Sequence, residues 1–369
     1  MLEADFEVFP ADLLSDDVLA DPVALTRALV DIPSVSGDEQ TIADAVQAVL
    51  AATGRYSIRR FGNTLAARTE LGRDRRVILA GHLDTVPIAD NLPASVTDER
   101  ITGCGTADMK SGVALALHLA ATLGEPRYDL TYLFYDCEEV RAERNGLNKL
   151  AAQQPDLLTE ADLAILLEPS YGLPEAGCQG TMRVVIKLTG RRAHTARSWL
   201  GVNAIHAAAP VLARLAGYTA REVTLEGCTY REGLNAVKIT GGVAGNVLPD
   251  ECELAVNYRF APDRDIDSAL AHLREVFDGY PLELVDSAPA APPGLDSDLA
   301  REFLAAVGEP PRAKLGWTDV ARFAALGVPA LNYGPGDPNL AHTREEYVEI
   351  DKIRSGAAVL RRWLSRQSP

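Results

Sequence analysis

The chain has 369 residues, 47% of them hydrophobic and 24% charged, with a formal net charge of -16. That length is more than one core usually holds, so two domains are expected, and a balance this acidic argues against nucleic acid as a partner because phosphate binding needs a basic face. The acidity is read as a device for solubility.

Cys104, Cys137, Cys178, Cys228 and Cys252 are scattered and form no C-x-x-C, which suits a reducing compartment. Met1-Leu2-Glu3-Ala4-Asp5 lacks the basic and apolar regions of a signal peptide. The longest helical apolar stretch, residues 113–123, is too short to span a bilayer. A cytoplasmic protein with no membrane partner is expected.

In chain order, Asp21-Pro22 opens a helix to residue 32, with Asp as cap and Pro at the first helical position. A second, amphipathic helix starts at Asp38 and stops at Gly54. Residues 56–61 and 64–68 read as strands. A buried β-branched strand, Arg76-Val77-Ile78-Leu79-Ala80, stops at Gly81. Residues 111–123 form an apolar helix and 130–135 a strand. A helical segment at 146–154 then precedes a buried strand at 163–167. This alternation of strand and helix predicts an α/β sheet.

After Cys178 the texture changes. Strands at 181–188, 237–239, 253–260 and 282–285 alternate with helices at 203–215 and 265–277, the order of a ferredoxin-like β-α-β-β-α-β unit. The Ala/Pro run at 288–294 reads as a hinge. A helix at 319–326, a strand at 330–333 and a helix at 351–364 resume the α/β pattern. The expected domains are 1–178 with 293–369, and an inserted 179–292.

Several residues that can ligate metal sit at strand-to-loop junctions, where an open α/β sheet assembles its site. His82 and Asp84 follow the buried strand. Asp108 lies in Gly103-Cys104-Gly105-Thr106-Ala107-Asp108-Met109-Lys110, which lacks the glycine that a phosphate loop needs before its Lys. Glu138 and Glu139 end one strand, Glu168 another, and His342 sits in a late Gly/Pro-rich loop. Each has a plainer reading alone: Asp108 as a helix cap, the acid pair as a solvated strand end, Glu168 as a pre-proline turn residue. Together they have the composition of a two-metal hydrolase, one His and one private carboxylate per metal plus one shared carboxylate.

GHLDTVP, GTADMK, DCEE, LEP and the late His resemble, in that order, the dinuclear zinc amidohydrolase and aminopeptidase family. AGCQGT, RAHTARSWLG, GCTYREGLNAV, GGVAGNV, NYRFAPDR, GWTDVARFAALG and NYGPGDPNLAH resemble its actinobacterial desuccinylase branch. The resemblance implies a catalytic zinc domain and an inserted α+β lid and dimerisation domain. It implies two Zn²⁺, with Co²⁺ as a possible substitute, and a homodimer through the insert. Asp108 would bridge the metals, His82 and Glu168 would complete one, and Glu139 and His342 the other. Asp84 would orient His82, and Glu138 would be the general base. His194, from the insert, would stabilise the oxyanion in the partner's site, while Asn246 and Arg259 would hold substrate carboxylate and carbonyl groups. The implied reaction is hydrolysis of N-succinyl-L,L-2,6-diaminopimelate to succinate and L,L-diaminopimelate. Its alternative is another N-acyl amino acid amidohydrolase, such as an acetylornithine deacetylase, or a dizinc aminoacylase or peptidase.

The chain departs from the better-known desuccinylase pattern at Cys178-Gln179-Gly180-Thr181, at His194-Thr195-Ala196-Arg197-Ser198 and at Val140. None of these positions is an expected ligand or the expected base. The contacts to the succinate end are affected, and Arg183 or Arg197 is expected to supply them. His118, His206 and His272, on predicted amphipathic helices, read as structural or solvated.

Overall fold

The computed structural model describes residues 14–366, and the chain divides into two compact units. Among the described residues, one is built from 14–176, Gly294–Arg312 and 322–366; the other from Gly177–Pro293 and Ala313–Ala321.

The first unit is organised by a mixed sheet whose centre is parallel. Its four central strands run in the order Asp129–Tyr135, Arg76–His82, Leu163–Leu166, Ala330–Asn332. Thr64–Arg68 and Ser57–Phe61 continue the sheet antiparallel on one side, and Glu175–Ala176 pairs antiparallel on the other. Every residue of Arg76–His82 and of Asp129–Tyr135 is buried, as continuous apolar runs require when both faces of a sheet are covered. Helix Ser111–Thr122, buried nearly all round, packs close to the end of a central strand. Gly112 permits this, since a Cβ there would lie 2.1 Å from the Leu167 carbonyl oxygen. Asp21 caps helix Pro22–Val30 by accepting the Val23 N–H, with proline in the first turn.

The second unit is a four-stranded antiparallel sheet in the order Gly233–Gly241, Glu251–Phe260, Gly180–Thr189, Leu282–Ala288. With helices Ala209–Ala216 and Ile266–Val276 between its strands, this is the ferredoxin-like connection order. Alternating burial along Gly180–Thr189 and Glu251–Phe260 puts Val184, Ile186, Leu254, Val256 and Tyr258 into one core with Val211, Leu273 and Phe277.

Several expectations shift. The strand that opens at Arg76 ends at His82 rather than Gly81, because the parallel pairing continues to His82–Tyr135. The expected helix at 203–215 is a 3₁₀ turn, His206–Ala208, followed by helix Ala209–Ala216 with Pro210 in its first turn. A proline has no N–H to give the preceding turn, and the tighter turn takes its place. Helix Asp298–Val307 and the hairpin Glu222–Leu225 with Cys228–Arg231 were not expected. Residues 313–321, placed from sequence with the first domain, pack with the second unit. There Trp317 Nε1 donates to the Pro289 carbonyl at 3.0 Å and Gln179 N–H to that of Lys314 at 3.2 Å.

Candidate metal centre

Asp108 is the focus of a cluster in the first unit. One carboxylate oxygen, Oδ1, lies 3.1 Å from His82 Nε2, and the other, Oδ2, lies 3.4 Å from His342 Nε2. His342 Nε2 is also 2.7 Å from Glu139 Oε1. His82, Asp108 and Glu139 bring one ligand atom each within 4.8 Å of one another. Glu168, buried just past strand Leu163–Leu166, is close enough to act on the charge of His82.

Local backbone explains how these donors converge. Asp108 has non-helical torsions (φ -121°, ψ 95°) and does not cap the following helix, so its carboxylate faces the imidazoles. The late loop reaches Asp108 because Gly336 packs on Ala107; a Cβ there would lie 2.4 Å from the Ala107 carbonyl oxygen. At the end of strand Asp129–Tyr135, Cys137 takes a positive φ of 56° and turns the chain. The Glu138 and Glu139 N–H groups then both donate to Asp84, at 2.9 and 3.0 Å.

Asp84 therefore does more than the sequence suggests. The nearest acceptor for His82 Nδ1 is the Asp84 carbonyl oxygen at 2.9 Å, with the carboxylate at 3.4 Å. That carboxylate, fully buried, also accepts from Ser36 Oγ at 2.6 Å and spans both acid-pair N–H groups. One residue thus orients His82 and holds the turn carrying Glu138 and Glu139.

The electrostatics describe a site made for cations. Burial works against charge on His82, but Asp108 and Asp84 outweigh it and hold the imidazole pKa well above its usual value. Hydrogen bonds to Asp108 and Glu139 push His342 up to about 10. Burial opposes ionisation of Asp108, yet His342 and His82 pull its carboxyl below the ordinary range. Imidazole nitrogens turned onto carboxylate oxygens are the donor types that divalent metal ions take, and Asp108 offers a separate oxygen toward each His.

Sequence reasoning missed two residues here. Ser36 gives no signal, being one Ser in a Ser/Gly turn. Glu346, 2% exposed, is buried in this region through hydrogen bonds to the Asp108 loop. It looks like a surface acid because Glu345 precedes it and Arg344 lies beside them.

His194, Asn246 and Arg259 belong to the second unit. There the His194 loop pairs with the Asn246 loop: Thr195 N–H donates to the Asn246 carbonyl at 3.0 Å, and His194 bridges to Val247. His194 and Asn246 are exposed, while Arg259 lies half-buried on strand Glu251–Phe260 opposite Thr181. Arg183 lies on strand Gly180–Thr189, with Asp286 at 3.5 Å, and Arg197 is exposed in a 3₁₀ turn. His118 bonds the Leu19 carbonyl, His272 bonds the Tyr218 hydroxyl, and His206 is exposed.

Residues 78–366 match the model of peptidase family M20/M25/M40, and the chain belongs to that family of hydrolases. A Mycobacterium tuberculosis protein assigned to the succinyl-diaminopimelate desuccinylases under the name DapE is 56% identical over 351 residues, 94% of this chain and 99% of the other. A Corynebacterium glutamicum succinyl-diaminopimelate desuccinylase is 49% identical over 360 residues, 95% of this chain and 97% of the other. Among solved structures, Bacillus subtilis YXEP, a dinuclear metal-binding peptidase of the M20 family, shares the fold with a TM-score of 0.69 at 15% identity, covering 95% and 98% of the two chains.

Proposed function

We propose that this chain hydrolyses the amide of N-succinyl-L,L-2,6-diaminopimelate, releasing succinate and L,L-diaminopimelate. The observation that carries the reading is Asp108, whose two carboxylate oxygens face two different imidazoles. The substrate assignment is supported by 56% and 49% identity, over nearly the whole chain, to proteins carrying that name.

In this reading Asp108 would be shared by two Zn²⁺, with His82 and Glu168 holding one and Glu139 and His342 the other. When bound, the two cations polarise the scissile carbonyl and make the attacking water more acidic. Glu138 takes the proton of that water and passes it to the departing amine, which restores the carboxylate. Asp84 keeps His82 in the tautomer that presents Nε2. From the second unit, His194 stabilises the oxyanion of a partner's site, and Asn246 and Arg259 hold substrate.

The second unit serves as the lid and as the surface of a homodimer. Its outer strand Gly233–Gly241 lies at the end of the sheet order, with Val237 57% and Ile239 50% exposed, and such an edge is a template for a second chain. Five free, buried cysteines support a reducing, cytoplasmic setting. Among the described residues no helix is long and apolar enough to cross a membrane.

The test is amine release by zinc-loaded protein from N-succinyl-L,L-diaminopimelate and from N-acetyl-ornithine, with Glu138→Gln as control. Preference for the succinylated substrate, lost in the control, is expected. Preference for the acetylated one would keep the mechanism and overturn the substrate. Activity on neither, with zinc bound, would overturn both.

A further inference from the structure

Glu346 lies four residues beyond His342 and has one of the most buried carboxylates of the first unit, at 2% exposure. Its Oε2 accepts the Gly105 N–H at 2.9 Å, and its Oε1 accepts those of Ala107 at 2.8 Å and Asp108 at 3.0 Å. Its backbone is held at the same place: the carbonyl accepts the Gly103 N–H at 3.0 Å, and the N–H donates to the Thr343 carbonyl at 3.3 Å. One residue is therefore bonded into residues 103–108 on one side and the His342 loop on the other.

The loop needs such an acceptor. Asp108 and Met109 have non-helical torsions, and Gly105 takes a φ of 79°. Gly105, Ala107 and Asp108 turn their N–H groups inward onto one carboxylate, an anion-binding concavity filled by the chain's own side chain. The buried cation nearby does not compete for these bonds, because Lys110 donates to the Ile32 carbonyl at 2.6 Å.

We propose that Glu346 is a positioning residue for the metal centre. Its carboxylate clamps the Asp108 loop to the His342 loop, so that the two oxygens of Asp108 are aimed at two different metal positions. This rests on reading Asp108 as the bridging ligand. Released from Glu346, Asp108 would keep its chemistry and lose its aim, and both metals would be bound more weakly. Second-sphere groups that orient ligands typically change metal affinity or activity by about 10–100-fold.

The test is zinc affinity, measured by competition with a chromophoric chelator, in Glu346→Gln, Glu346→Asp, Asp108→Asn and Glu345→Gln. Glu346→Asp keeps the charge and withdraws the acceptor by one methylene, while Glu346→Gln keeps the reach and loses the charge. Glu345 is the exposed neighbour, and its variant controls for charge alone. Zinc affinity about 10–100-fold lower in both Glu346 variants, with metal-free melting close to wild type and Glu345→Gln unchanged, is expected. At saturating zinc, kcat should fall while KM stays within about twofold, because substrate contacts are untouched. Wild-type zinc affinity in both Glu346 variants, or a loss that only tracks a lower metal-free melting temperature, overturns the positioning role. If Glu346→Gln does not fold, Glu346→Asp decides by the same readouts. Wild-type affinity in Asp108→Asn as well would show instead that the metal-centre reading had failed.

Discussion

Two carboxylate clusters, one in each unit, are answered in opposite ways. In the second unit Glu232, with no exposed side-chain surface, is met by Arg221 at 2.7 and 3.2 Å and by Arg264 at 3.5 Å. It also accepts the Tyr258 hydroxyl at 2.9 Å and the Ala261 N–H at 3.1 Å. In the first unit Asp108 and Glu139 are met by the imidazoles of His82 and His342. A guanidinium never gives up its proton at ordinary pH, so the cations that answer Glu232 are fixed and belong to the chain itself. An imidazole carries charge only while protonated, and a metal ion competes with that proton for the same nitrogen. A cluster that brings its own fixed cations is architecture. One that answers acids with histidines is ready to exchange its protons for metal.

That contrast can be broken by experiment, and the largest effect should come from the chemistry itself. Glu138→Gln should lower kcat by about 10²–10⁴-fold, leaving zinc stoichiometry and KM close to wild type in steady-state kinetics. Next, Asp108→Asn should weaken zinc binding in chelator competition by more than the roughly 10–100-fold typical of losing a group that only orients a ligand. Glu232→Gln should do the reverse: a loss of about 3 kcal/mol in denaturant unfolding, because two guanidiniums lose their anion, with zinc affinity unchanged.

The pH dependence of the second unit follows in sign. Burial works against the charge of Glu232, but Arg221 and the Ala261 N–H outweigh it and hold its pKa below the usual glutamate range. Its stabilisation is therefore present above the ordinary glutamate pKa near 4.5 and is lost as pH falls through the folded value. Melting curves of wild type should drop on acidification, and those of Glu232→Gln should drop less. The smallest effect is expected at the substrate's far end. Arg183→Ala or Arg197→Ala should raise KM several-fold for a succinylated substrate and less for an acetylated one; equal shifts would remove both from specificity.

The central strands were legible because continuous apolar runs such as Val77-Ile78-Leu79-Ala80 have few other places to go. His82, Glu138, Glu139 and Glu168 were legible because each sits at the end of such a strand, and Asp108 and His342 because they lie in Gly-containing loops. Helix Asp298–Val307 was not read, although Ser297 caps it and Gly308 ends it, because the preceding Ala/Pro run reads as a long hinge. The hairpin at Cys228 was missed because its turn is Glu226-Gly227, with φ of 47° and 82°, rather than the usual Asn-Gly. Glu346 carries no sequence signature at all. Its partners are backbone N–H groups of a loop about 240 residues away, as for Gly105, and backbone groups look alike in any sequence.

The distance that hides Glu346 also sets an order of events during synthesis. His82, Asp108, Glu139 and Glu168 leave the ribosome long before His342 and Glu346, at roughly 5–20 residues per second. For many seconds the nascent chain carries the acidic residues of the cluster without the His342 and Glu346 that complete it. On the two-metal reading proposed above, high-affinity metal capture would belong to the finished polypeptide, and a chain cut short before residue 342 would compete poorly for metal ions.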